Sequence, residues 1–128
     1  MANTFYQNFE VALSKLTEFC QHFDKSEIQR AGIIQAFEFT YEQCWKAIQK
    51  KAGEEGITIA SPKKAFEWAF QNGWISQQDE SVWLEILSDR NLTTHTYREA
   101  MALQVSGNIV ASYREHFQKM LSAMKSRP

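Results

Sequence analysis

The 128-residue chain has few of the residues that turn or cross-link a polypeptide: five glycines, two prolines and two cysteines. So few glycines and prolines argue against an all-β fold with many turns and against a disordered chain. Cys20 and Cys44 lie far apart, so the chain lacks the paired ligands of a structural zinc site, and we expect no metal or cofactor. We expect both cysteines to be buried thiols on apolar helix faces, as in a reducing compartment.

Neither sign of charge dominates, because the sequence has 14 Lys and Arg residues and 15 Asp and Glu residues, which gives a net charge of −1. This balance argues against non-specific binding of nucleic acid through bulk charge, but it leaves room for a local basic site. The longest uncharged stretch, residues 100–113, is too short and too polar to span a bilayer. The sequence starts with no basic segment followed by an apolar run, so we expect a cytoplasmic protein without membrane attachment.

The chain is instead rich in apolar residues, at 44% of the sequence, with nine Phe, four Trp and four Tyr. A chain of this length can bury roughly two thirds of its unfolded surface without disulfides or metals. We therefore expect one domain, residues 1–128.

Apolar residues recur at steps of three and four and predict two long amphipathic helices in the first half of the chain. The first covers about residues 3–22. The second begins at a capping box formed by Ser26 and Gln29 and ends at the stop signal of residues 53–56. Its apolar stripe is expected to be a bundle seam rather than a nucleotide pocket and consists of Phe37, Tyr41, Cys44 and Ile48.

The second half predicts a short helix and two further long ones. Residues 56–60 read as a connector, and Ser61-Pro62 starts a short helix that closes at Gly73. A cap at residues 76–79 precedes a fourth helix that runs to about Arg90, and a long last helix extends to about Met124. The expected fold is all-α, an up-and-down four-helix bundle with an additional short helix. Core packing is expected for Trp68, Trp74 and Trp83, with an exposed Trp74 at an interface as the alternative.

Residues 89–99 are the one segment whose composition is not explained by a purely structural role. They contain acidic, basic, hydroxyl and imidazole side chains but no glycine or proline, although a helix–helix loop needs only a cap. Thr94 can cap the last helix, or Thr96 can form a capping box with Glu99. Either choice places His95 at a helix N-terminus, where the helix dipole attracts anions and keeps an imidazole neutral.

Arg90 and His95 together suggest phosphoryl chemistry. On one continuous helix their side chains would point about 140° apart, so we expect the backbone to break at Thr93–Thr94 and let them converge. The guanidinium would bind a phosphate, and a neutral His95 would accept the proton of a ribose 2′-OH. These two residues are the minimum set for metal-free cleavage of RNA.

Purely structural roles are the alternative for Arg90 and for the other charged and histidine residues. Arg90 can instead form a local salt bridge with Asp89 or Glu85. The row of Glu38, Glu42 and Lys46 fits a solvated series of ion pairs along one helix, with orientation of the motif or of a partner as the alternative. We expect His22 and His116 to be ordinary surface or helix-end residues.

Arg90-Asn91-x-x-x-His95 resembles the R-x4-H signature of the HEPN superfamily of helical, nucleotide-associated proteins. Tyr97 extends the match to R-x4-H-x-Y, the form found in HEPN toxins paired with minimal nucleotidyltransferases. Further stretches are similar to the nucleotidyltransferase substrate-binding branch, namely residues 30–42, 44–46, 61–63 and 82–93.

This resemblance implies a homodimer with two Arg/His sites near a shared cleft and a separately encoded minimal nucleotidyltransferase as partner. It implies that Arg90 binds the phosphate, that His95 acts as acid and base in metal-independent RNA cleavage, and that Tyr97 accepts an adenylyl group that silences the toxin. Asn91 occupies the polar position beside the motif arginine, and Asp89 is a further supporting residue. A non-catalytic subunit that binds a nucleotide or substrate for the transferase is the alternative, and a purely structural helical dimer is a third.

Overall fold

The computed structural model describes residues 4–95 and 98–126, and of Thr94 and His95 it describes the backbone alone. The described residues form helices and no strands. The helices are α1 (Gln7–Gln21), α2 (Glu27–Glu54), α3 (Pro62–Gln71), α4 (Glu80–His95), α5 (Glu99–Asn108) and α6 (Arg114–Ser126). A 3-10 turn (Gln77–Asp79) precedes α4, and a π-helical segment (Ile109–Tyr113) joins α5 to α6 without a break.

Four long helical elements form an up-and-down bundle, as predicted. α1 runs antiparallel to α2, because Thr40 of α2 donates to the carbonyl of Ala12, 3.2 Å away, while Gly32, earlier in α2, lies against Phe19, later in α1. α4 runs antiparallel to the last helix, because Asp79 lies by Lys119 and Asp89 by Tyr113. The short helix α3 lies in the connection between α2 and α4 and packs against α2.

Two helix starts confirm the N-cap serines read from the sequence, although the Ser26 backbone N–H donates to Asp24 at 2.9 Å and not to Gln29, so the predicted capping box is only half formed. The hydroxyls of Ser26 and Ser61 each accept a hydrogen bond from the backbone N–H three residues later, at 3.2 and 3.3 Å. α2 ends at Glu54, and Gly56 follows with a φ of +83°, a backbone conformation that favours glycine. Short polar signals therefore set the helix boundaries in this part of the chain.

The core contains the predicted seam of α2 and a chain of aromatic rings. Phe37 is fully buried and lies 5.8 Å from the ring of Tyr113 and 6.0 Å from that of Phe117, centroid to centroid. Cys44 is buried as expected, whereas Cys20 is only half-buried. The three tryptophans near α3 all belong to the core, so the alternative of an exposed Trp74 is wrong; they are Trp68, Trp74 and Trp83.

The expectation of a surface position for His116 is wrong, whereas His22 is exposed just after α1. His116 is buried on α6, with Nδ1 2.9 Å from the carbonyl oxygen of Ser112 and Nε2 3.4 Å from Asp79. It lies beside Phe117 on the face of α6 that packs into the bundle. Among the described residues, no helix combines the length and apolarity needed to cross a membrane.

Candidate functional site

The end of α4 does not break where the sequence suggested. α4 continues through Thr93 and Thr94 to His95, and the Thr93 hydroxyl donates back to the carbonyl of Arg90 at 2.9 Å. Positions 90 and 95 therefore belong to one helix and lie about 140° apart around its axis. The prediction of a kink that brings them onto one face is wrong. The side chain of His95 and the whole of Tyr97 lie outside the described residues.

The predicted caps after the motif are also wrong. Thr94 lies inside α4, and the N-cap of α5 is Arg98, in an extended conformation without a side-chain capping bond. Thr96 lies outside the described residues and precedes that cap by two positions. His95 is the last residue of α4, where the helix dipole is negative and favours cations. The argument that a helix N-terminus keeps His95 neutral does not hold.

The side chain of Arg90 contacts α2 across the bundle. Its Nη1 lies 3.5 Å from Oε2 of Glu38, and its guanidinium lies 5.6 Å from the ring centroid of Tyr41. The expected local salt bridge to Asp89 or Glu85 is wrong, because neighbours one and five positions away point to other sides of the helix. The Arg90 side chain is 23% exposed. It therefore keeps part of its charged surface open to an anion.

Tyr41 forms an uncharged aromatic surface beneath that guanidinium. Burial raises the pKa of Tyr41 to about 12, and the charge of Arg90 opposes the rise without cancelling it. The phenol therefore stays neutral at physiological pH. A guanidinium over an aromatic ring gains about 0.5–2 kcal/mol, depending on how well it is desolvated.

The two glutamates of the row on α2, Glu38 and Glu42, contact different partners. Glu42 forms the ion pair expected from the sequence, 3.3 Å from Lys46, and also accepts a hydrogen bond of 3.0 Å from the indole of Trp45. Glu38 instead crosses to Arg90. Of this row, Glu38 and not Glu42 contacts the motif arginine.

The two supporting residues point to different surroundings. Asp89 faces the last helix, where its Oδ2 accepts hydrogen bonds from the Tyr113 hydroxyl at 2.5 Å and from the Asn108 amide at 3.2 Å. Asn91 is exposed. Asp89 thus ties the end of α4 to the π-helical segment, while Asn91 is open to solvent.

A second arginine lies at the same end of the bundle. Arg30, near the start of α2, donates to the carbonyl oxygen of Lys25 at 2.5 Å and pairs with Glu99 at 3.2 Å. Its side chain is 11% exposed. Because Glu99 is the first residue of α5, this pair fixes the start of α5 against the start of α2.

Sequence reasoning missed Tyr113 and Asn108, which hold Asp89. The sequence pattern marks Tyr113 only as an apolar position of the last helix. It marks Asn108 only as a polar residue in the uncharged stretch of residues 100–113. No local pattern marks either residue, because their partner lies on another helix. Among the residues that the structure describes, no three His, Cys, Asp or Glu side chains cluster as metal ligands do. What the geometry offers is an oriented, partly open guanidinium suited to a phosphate.

Comparison with known proteins identifies the family. Residues 4–126 match the family model described as nucleotidyltransferase substrate binding protein like, so the chain belongs to that family. This confirms the resemblance drawn from residues 30–42, 44–46, 61–63 and 82–93. No curated protein matched the chain.

Solved structures share the fold over nearly the whole chain. A protein from Thermus thermophilus is 33% identical, with a TM-score of 0.82 over 91% of this chain and 98% of its own. Two toxin–antitoxin structures are each 15% identical and cover 96% of this chain and 95% of their own. One is a mutant of the toxin–antitoxin MntA-HpeT, with a TM-score of 0.76. The other is a tri-AMPylated Shewanella oneidensis HEPN toxin in complex with MNT antitoxin, with a TM-score of 0.77. The chain thus has the fold of a HEPN toxin.

Proposed function

We propose that this protein is the HEPN-type subunit of a two-component, toxin–antitoxin-like system whose other member is a separately encoded minimal nucleotidyltransferase. Its family description and the fold it shares with toxins bound to MNT antitoxin support this pairing. The observation that carries the proposal is Arg90, held by Glu38 over the ring of Tyr41 and still partly exposed. We place the system in the cytoplasm, where RNA and nucleoside triphosphates are available.

The activity we propose is metal-independent cleavage of RNA. His95 takes the proton of a ribose 2′-OH, the 2′-oxygen attacks the adjacent phosphorus, and the 5′-oxygen leaves with a proton. Arg90 neutralises the charge that grows on the phosphate oxygens. The products are a 2′,3′-cyclic phosphate and a free 5′-hydroxyl, so the reaction needs neither metal nor cofactor.

The cleavage site is proposed to lie between two copies of the chain. Positions 90 and 95 diverge by about 140° on a continuous α4, so Arg90 of one copy and His95 of another can converge where one copy's residues do not. Phe39 and Leu92 support a homodimer contact here. They are 54% and 48% exposed and belong to α2 and α4, the two helices that the Glu38–Arg90 pair joins. Such half-exposed apolar side chains suit a self-complementary interface.

Control of the activity is proposed to act at Tyr97, beside the motif. The phenolic oxygen of Tyr97 attacks the α-phosphorus of ATP held by the partner transferase, pyrophosphate leaves, and the phenolic proton passes to solvent or a base. The adduct places a bulky anion two residues from His95. It would compete with RNA for Arg90.

Cleavage is tested with purified protein and RNA in excess chelator. Wild type is expected to leave 2′,3′-cyclic phosphate ends, and both His95→Ala and Arg90→Ala should lose cutting. Asn91→Ala, at an exposed position of the same helix, reports whether the polar neighbour matters. Equal cutting by wild type and His95→Ala would remove the enzymatic proposal.

Modification is tested by co-expression with the proposed partner, a minimal nucleotidyltransferase. A peptide containing Tyr97 should gain the mass of one or more AMP groups, and cutting should fall in proportion. Tyr97→Phe should gain no such mass. If the Tyr97→Phe peptide is modified equally, the acceptor is another residue.

A second candidate function is a non-catalytic subunit that binds a nucleotide or substrate for the transferase. The uninterrupted α4 favours it, because binding a phosphate requires Arg90 but not convergence with His95. In that case His95→Ala should bind a nucleoside triphosphate as well as wild type does, while Arg90→Ala should bind it at least about tenfold more weakly. Calorimetric titration of the two variants separates this function from the first.

A further inference from the structure

The π-helical segment Ile109–Tyr113 lies opposite the motif end of α4. Tyr113, its last residue, is 1% exposed, and its hydroxyl donates to Oδ2 of Asp89 at 2.5 Å. Asn108, immediately before the segment, donates to the same oxygen at 3.2 Å. The two ends of the π segment therefore hold one carboxylate oxygen. Such segments are rare and are frequently found at functional sites.

These contacts connect the last helix, through α2 and α4, to the surroundings of Arg90. The ring of Tyr113 stacks on that of Phe37, 5.8 Å away with 29° between the planes. Phe37 directly precedes Glu38, which pairs with Arg90, and Asp89 directly precedes Arg90. The guanidinium is thus contacted from α2 by Glu38, while Asp89 ties the adjacent backbone of α4 to the last helix.

The hydroxyl of Tyr113 remains protonated and can always donate its hydrogen bond. Burial, followed by its hydrogen bond to Asp89 and that residue's charge, raises the pKa of Tyr113 well above its usual value. The phenol therefore keeps its proton at any physiological pH. A short O–H···O⁻ bond to a carboxylate is about twice as strong as one between neutral groups. The Tyr113–Asp89 hydrogen bond is therefore strong enough to influence how the end of α4 is rotated.

We propose that Tyr113 is a positioning residue for Arg90: through Asp89 it sets the rotation of the end of α4, and so the direction in which the guanidinium meets a phosphate. The residue that makes this contact is the last one of the π segment. The inference rests on the proposed function only in taking Arg90 as the phosphate-binding group. Tyr113 itself touches neither substrate nor reacting atoms.

The first test measures Arg90 directly. Phenylglyoxal modifies accessible guanidinium groups, and peptide mass spectrometry follows Arg90 and Arg114 in the same sample. Tyr113→Phe keeps the ring but loses the hydroxyl, so Arg90 should react about fivefold faster while Arg114 is unchanged, the factor expected for one lost hydrogen bond. Asp89→Asn keeps an acceptor oxygen and should stay within about twofold of wild type. The matched control is Tyr6→Phe, which removes a hydroxyl at the N-cap of α1.

The second test is kinetic and uses the same variants well below their unfolding temperatures. Tyr113→Phe should lower kcat for RNA cleavage about fivefold with little change in KM, and Asp89→Asn, which keeps an acceptor for the Tyr113 hydroxyl, should lower kcat less. If wild type does not cut RNA, the proposed cleavage fails, yet the modification rate of Arg90 still decides the role of Tyr113. Should Tyr113→Phe fail to fold, Asn108→Ala removes the weaker donor and should give a smaller rise at Arg90.

Two outcomes would overturn the inference. Unchanged modification of Arg90 in a folded Tyr113→Phe would leave the tyrosine as a packing residue only. A parallel rise at Arg90 and Arg114 would show a general loosening of the bundle.

Discussion

The carboxylate of Glu38 on α2 lies 3.5 Å from the guanidinium of Arg90 on α4, and neither side chain is fully buried, with 31% and 23% exposed. Pairs of this exposure contribute at most about 1 kcal/mol to stability. The contact therefore matters more for where the guanidinium points than for how stable the bundle is. A phosphate can compete with a carboxylate that is held this loosely.

The coupling between Glu38 and Arg90 can be measured by a double-mutant cycle. Urea unfolding of Glu38→Gln, Arg90→Gln and the double variant should give a coupling of about 0.2–1 kcal/mol that shrinks in 1 M salt, where the Debye length is about 3 Å. Glu42→Gln is the control, because Glu42 pairs with Lys46 instead. Equal coupling of Arg90 to Glu42 would contradict the geometry.

Alkaline pH should destabilise the fold partly through Tyr41. Burial raises the pKa of Tyr41 to about 12, so between pH 10 and 12 the unfolded chain loses this proton more readily than the folded one. The stabilisation is complete below pH 10 and declines as pH rises toward 12. The unfolding free energy of wild type should fall more steeply over this window than that of Tyr41→Phe. Parallel curves for the two proteins would rule out this contribution.

Two glycines in helices should respond differently to alanine. A Cβ at Gly32 would lie 2.8 Å from Cε1 of Phe19, whereas one at Gly107 would meet nothing within 4 Å. Gly107→Ala should stabilise the protein by about 0.5–1 kcal/mol through helix propensity. Gly32→Ala should gain less or lose stability, because the Phe19 ring must move. Thermal or urea unfolding decides, and an equal gain at both positions would count against close packing of α1 on α2.

Asp79 should contribute stability that acid removes. Burial alone would raise the pKa of Asp79, but the hydrogen bond and charge of Lys119, a hydrogen bond from Ser76 and the proximity of His116 lower it below its usual value. The contribution is therefore present above the ordinary aspartate pKa of 3.8 and is lost as pH falls through the lower folded value.

Asp79→Asn should accordingly cost stability near pH 7, and its difference from wild type should narrow toward pH 3. Glu67→Gln, which alters an exposed pair with Lys64, is the control and should change little at either pH. A constant penalty for Asp79→Asn across this range would mean that the charge of Asp79 is not what matters.

The sequence alone determined the helices and their inner faces. The hydroxyls of Ser26 and Ser61, the glycine at position 56 and the apolar steps of α2 act within a few residues of the chain. Their effect is the same whatever packs nearby, so local patterns were enough to predict the all-α bundle with its short extra helix. The motif spacing from Arg90 to His95 was equally readable and led to the correct family.

Only the tertiary structure decided what the motif residues contact. The pairing of Arg90 with Glu38, the hold of Tyr113 on Asp89 and the burial of His116 join residues on different helices, and each depends on how those helices are rotated against one another. Even the continuation of α4 through Thr93 and Thr94 went against the local pattern of polar residues. Rotation and packing follow from the summed contacts of the whole bundle, which no stretch of a few residues contains.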